Sequence, residues 1–125
     1  MTTPLVEWRV EKRRVRQDAR SRLIQQWRAE IRQLRLAETH RLARIKEHAD
    51  RGLPPPAESE LPVIDPMQYE WFRRLRIELP SWAVSRVDNL RQQPPEARVG
   101  QIPNFLEERV FRIESEEWGL PESPV

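Results

Sequence analysis

The 125-residue chain contains no cysteine, which excludes disulfide staples, thiolate metal ligands and a cysteine nucleophile, and which fits a reducing intracellular compartment. Glycine is almost as scarce. Gly52, Gly100 and Gly119 are its three glycines, so no glycine-rich phosphate loop can be assembled, and each reads as a helix cap or a turn. Histidine is confined to His40 and His48, about 12 Å apart along a helix axis, too far to share one metal ion. No apolar run approaches the roughly 18 residues of a membrane span, and the N-terminus lacks the apolar centre of a secretory signal. The composition therefore predicts a soluble chain without membrane insertion, intracellular, in the cytoplasm or an organelle matrix. Lysine is rare too: of 22 Lys and Arg residues only Lys12 and Lys46 are lysines. Arginine is the cation whose planar fork matches carboxylates and phosphates.

What is present is a long stretch free of helix breakers. Between Pro4 and Gly52 there is neither glycine nor proline. Thr3 suits an N-cap, Pro4 the first helical position and Gly52 a left-handed C-cap, so the start and stop signals agree on one helix over about residues 4–51. At 1.5 Å per residue it would be about 72 Å long. Leu23, Ile24, Trp27, Ile31, Leu34, Ala37, Leu42, Ile45 and Ala49 recur at three- and four-residue steps and form one apolar stripe. Glu38 and Arg41 interrupt it, which breaks a regular heptad.

The arginines are patterned as well. Arg9, Arg13, Arg16 and Arg20 share one helical face, and Arg28, Arg32 and Arg35 form a second set. Residues 1–52 carry 14 Lys and Arg against 7 Asp and Glu, a net charge of +7, whereas residues 53–125 carry 8 against 13, a net charge of −5. Such asymmetry speaks about partners more than about fold.

Residues 53–65 are proline-rich and predict an extended spacer. Residues 66–125 predict a small acidic helical region with an extended tail. Asp65 to Gln68 reads as a capping box for a helix ending near Leu79, Ser81 as the cap of a helix to about Gln92, and Asn104 with Glu107 as the start of a helix over Phe105 to Trp118. A short strand over Val110 to Ile113 is the weaker alternative, because acidic residues crowd that segment. A joint core is expected around Trp71, Phe72, Leu75, Trp82, Leu90, Phe105 and Phe111. The fold class is thus mainly α: a long N-terminal helix, a spacer and three short helices, extended rather than compact.

Chemistry of the catalytic kind has little to work with. Glu107, Glu108, Glu114, Glu116 and Glu117 form an acidic cluster, but carboxylates without a cleft are surface charge. No catalytic residue, metal site or cofactor is expected. The sequence reads as a non-enzymatic structural or adaptor subunit lying within a large assembly, a ribonucleoprotein such as a ribosome or a multiprotein complex. Its partners would be other protein subunits and RNA. The seven arginines at 9, 13, 16, 20, 28, 32 and 35 would meet phosphates or acidic protein, and Trp8, Trp27, Ile31, Leu34 and Trp118 would anchor on neighbouring proteins. The alternative is a self-associating coiled-coil module, a homo-oligomer in which copies bury the Leu23 to Ala49 stripe against each other. Sequence-specific DNA binding lacks the helix-turn-helix or zipper that would support it.

Overall fold

The structure is a computed structural model that describes the backbone of residues 4–120 and the side chains of residues 9–120. Thr3 as an N-cap and Trp8 as an anchor lie outside the described residues and side chains. Four α-helices and no strands occur among the described residues: α1 (Pro4–Asp50), α2 (Glu70–Glu78), α3 (Ser81–Gln92) and α4 (Gln101–Arg112), the last running on into a π-helical turn, Ile113–Glu117. The mainly α reading, with one long N-terminal helix followed by shorter ones, is what the chain adopts.

The end of α1 follows from its chemistry. Gly52 takes φ +65°, the Leu53 N–H reaches the His48 carbonyl at 2.9 Å and the Gly52 N–H reaches that of Ala49 at 3.1 Å. This is the paired Schellman arrangement, which requires a residue at ease with positive φ. After it the chain is extended at Ala57 and Leu61, with one 3-10 turn at Glu58–Glu60 between them. The proline-rich segment does not stand off in solvent: Leu61 and Ile64 are buried, so the spacer is fastened to the body.

Several boundaries differ from the expected ones. Asp65 accepts the Met67 N–H at 3.0 Å as a cap should, but it caps only a 3-10 turn, Pro66–Gln68. Tyr69 is then extended, and α2 starts afresh at Glu70. Ser81 is the first residue of α3 rather than its cap, that position belonging to Pro80. The start of α4 lies four residues before Phe105, behind Gly100 at φ +77°. Pro103 is tolerated there because the first turn of a helix needs no N–H donors. Asn104 and Glu107 are consequently inside α4, not at its start.

Apolar packing joins the middle of α1 to the short helices. Ile24, Trp27, Ile31 and Leu34 from α1 are at most 2% exposed and share one cluster with Phe72 and Leu75 of α2, Val87 and Leu90 of α3, and Ile102, Leu106 and Val110 of α4. The short helices thus fold back on the second half of α1, which supplies the core they lack. Two residues expected in the core are outside it: Trp82 is 58% exposed and Phe111 50%. Each faces away from the α1 stripe, which is where the apolar area to be covered lies.

Candidate functional site

Ahead of the body, α1 runs on alone. Residues 9–19 are exposed on every face of the helix, and side-chain burial begins at Arg20 and Ser21. This arm carries Arg9, Lys12, Arg13, Arg14 and Arg16 against Glu11 and Asp18. The helical period sorts these charges. Arg9, Lys12, Arg13 and Arg16 border one shallow groove, while at about 100° per residue Glu11 and Asp18 fall about 180° away, on the opposite face. The result is a row of cations with no carboxylate among them on the helix.

Where the arm meets the body, Arg20 stacks on Trp118, its guanidinium carbon 5.1 Å from the ring centroid. Trp118 in turn lies 5.8 Å from Trp27, ring to ring. The order Arg20, Trp118, Trp27 carries the helix from its charged half into the core. Cation–π contact of this kind is worth about 0.5–1 kcal/mol at exposed positions.

The second arginine set has a different fate. Arg28 donates two hydrogen bonds to Glu114, Nη2 to Oε1 at 2.7 Å and Nη1 to Oε2 at 3.2 Å. Glu114 is 5% exposed, so the guanidinium fork compensates a nearly buried carboxylate. The π-helical turn helps to place it: the Trp118 N–H bonds to the Ile113 carbonyl, and within that turn Ile113 enters the core while Glu114 meets α1. Arg35 pairs with Glu107 at 2.7 Å and donates to Asn104 Oδ1 at 2.6 Å. Arg32 stays exposed, beside a groove shared with Arg28 and Glu107. Arg28 and Arg35, expected to contact an outside partner, are therefore occupied by the acidic C-terminal segment of their own chain, because the fold-back brings opposite charges together.

The expected protein anchors are corrected in the same way. Trp27 and Ile31 are fully buried and Leu34 is 2% exposed, so α2 and α4 cover them and they present nothing to another protein. Trp118 is half-buried against Trp27 and Arg20. Glu38, which interrupts the apolar stripe, accepts the Gly100 N–H at 2.7 Å through Oε2. It thus caps α4 from another helix, with a carboxylate at the positive end of the helix dipole. Nothing in the local sequence flags this role, since the two residues are far apart in the chain.

Other carboxylates of the acidic cluster are paired as well: Glu116 with Arg112, Glu117 with Arg109 at 3.5 Å, and Glu108 with Arg112 at 3.9 Å. Arg109 also lies over the Trp82 ring at 5.1 Å. Among the described residues there is no group of three or more His, Cys, Asp or Glu placed to hold a metal ion, and no helix is long and apolar enough to cross a membrane. No protein-family model, curated protein or solved structure matches the chain, so the residues themselves carry the functional reading.

Proposed function

We propose that the chain is a non-enzymatic structural adaptor of a large assembly, in which the helical body holds the basic arm of α1 against nucleic-acid phosphates, with RNA in a ribonucleoprotein as the expected partner. The supporting observation is the exposed face of Arg9, Lys12, Arg13 and Arg16, with no carboxylate among them along the helix. Phosphate recognition asks for that and little else: a row of cations that can release condensed counterions. An acidic protein partner would also ask for desolvated aromatic anchors. The described arm offers only the exposed Val10 and Val15 as large apolar residues, and Trp27 is committed to the core.

The coiled-coil alternative has little surface left to it. From Ile24 to Leu34 the stripe is already buried within one chain, which leaves Ile45 and Ala49 at its far end exposed. Light scattering on the purified chain should therefore report a monomer.

The test of the main reading is fluorescence anisotropy with a labelled RNA over a range of salt concentrations. Each arginine–phosphate pairing that is removed should lower the log–log salt slope by about 0.7–0.9. The triple substitution Arg9→Gln, Arg13→Gln, Arg16→Gln should therefore lower it by about 2–3 and weaken binding with little regard to RNA sequence. An unchanged slope and affinity in the triple variant would remove the arm from the interface.

A further inference from the structure

The second feature lies far along α1 from the arm, about 42 Å from Arg13 to Arg41 at 1.5 Å per residue. Here the fastened spacer, α1 and the loop after α3 border an open cleft of about 280 Å³, walled by Leu61, Ile64 and Pro95 and lined by two arginines, Arg41 and Arg98, and two carboxylates, Glu58 and Asp65. Arg98 is only 4% exposed. Its guanidinium donates one long hydrogen bond, Nη1 to the Leu90 carbonyl at 3.4 Å, although the group carries several N–H donors in a rigid fork. Its Nε is buried without a partner, and so is the Nε of Arg41.

The acids of the cleft and its surroundings already have partners, and Glu58 occupies Arg41 itself. Asp65 accepts two hydrogen bonds from Arg91, at 2.7 and 3.0 Å, and one from the Met67 N–H. Glu58, at the rim, takes both terminal nitrogens of Arg41. Glu38 gives one oxygen to Gly100, while its Oε1 is buried without a hydrogen bond. Burial lowers the Arg98 pKa, and the fields of Glu38 and then Asp65 oppose that shift. An arginine keeps its charge under such conditions. A buried cation with so few hydrogen bonds is costly unless something supplies acceptors.

We propose that this cleft binds a small oxyanion, held by the terminal nitrogens of the Arg98 guanidinium with the Arg41 charge beside it, between the apolar walls of Leu61, Ile64 and Pro95. A phosphate group or a carboxylate would satisfy the guanidinium fork, and the low-dielectric walls strengthen the contact relative to open surface. The volume is near the lower end of small-ligand pockets, which suits inorganic phosphate or the anionic end of a small metabolite rather than a polymer. Binding would also tie together the three segments that line the cleft. This site is independent of the arm, and the arm's triple variant should leave it intact.

The test is a two-dimensional NMR titration of the full chain, observing arginine Nε–H signals at constant ionic strength, first with inorganic phosphate and separately with acetate. We expect a saturable shift of the Arg98 and Arg41 signals with one or both anions. A response to phosphate identifies a phosphate-type ligand, and one to acetate alone a carboxylate. Arg98→Gln, and Arg98→Lys, which keeps the charge but loses the fork, should each weaken the response at Arg41 at least tenfold. No saturation with either anion by roughly 10 mM, shifts confined to the arm arginines, or an unchanged Arg41 response in a folded Arg98 variant would each overturn the proposal. Because the wild-type titration is decisive by itself, loss of folding in either variant leaves the proposal testable.

Discussion

The two halves of α1 share one helix and one abundance of arginine, yet they do opposite things with it. From residue 9 to residue 19 the side chains are exposed on all faces; from Ile24 to Glu38 the helix carries the centre of the core. The difference lies in what stands between the arginines. The first half has small or β-branched apolar residues at wide intervals, too little to bury. The second has Ile24, Trp27, Ile31 and Leu34 at helical spacing, enough for α2 and α4 to pack against. Where the body covers the helix, Arg28 and Arg35 are drawn into ion pairs with the acidic segment; along residues 9–19 the arginines stay exposed.

The comparison is broken most severely by Trp27→Ala. Emptying a fully buried tryptophan site should cost about 3–5 kcal/mol, enough to unfold most of the body, as urea denaturation followed by circular dichroism would show. A loss below about 1 kcal/mol would mean that α1 is not part of the core.

Next in size is Arg28→Ala, which leaves Glu114 nearly buried without its fork. The expected loss is on the order of 2–3 kcal/mol. Glu114→Gln in the same background should recover much of it, since the residual charge causes most of the damage. If the double variant is no more stable than the single one, the pair is not coupled in this way.

Gly100→Ala should cost about 1 kcal/mol through backbone strain alone, because Gly100 sits at φ +77° and a Cβ there would meet nothing closer than the Asn104 amide at 3.9 Å. Gly100→Asn, better suited to the left-handed region, should cost less. Equal losses for the two would argue against the strain.

A smaller effect belongs to pH. The hydrogen bonds from Arg91, chiefly, hold the Asp65 carboxyl below its ordinary pKa. A depressed carboxylate pKa contributes stability that is present above the unfolded value, near pH 4, and lost as pH falls through the folded value. Asp65 is over a third exposed, so screening keeps the contribution under about 1 kcal/mol. The stability gap between wild type and Asp65→Asn should shrink as pH drops below about 4; a gap that is constant with pH would mean that the charge of Asp65 is not what stabilises the fold there.

The smallest effect sharpens the contrast from the other side. Val15→Ala on the arm should change stability by less than about 0.5 kcal/mol, since Val15 is 59% exposed. A loss of Trp27 size would mean that the arm is covered after all.

What could be read from the sequence was local. The absence of helix breakers between Pro4 and Gly52, the Gly52 stop and the spacing of the apolar stripe determined α1, because helix propensity and capping depend on neighbours within a few residues. The arginine face of the arm was legible for the same reason: nothing packs there to change what the period dictates. Which charges would be consumed was not legible. Arg28 meets Glu114, Arg35 meets Glu107 and Glu38 meets Gly100 across long separations in the chain, and no short-range pattern encodes such pairs. The tertiary fold also moved Trp27, Ile31 and Leu34 from interface to core and brought Arg98 to the cleft beside Arg41. Local chemistry chose the helices; burying the α1 stripe, a property of the whole chain, chose which of their surfaces face the world.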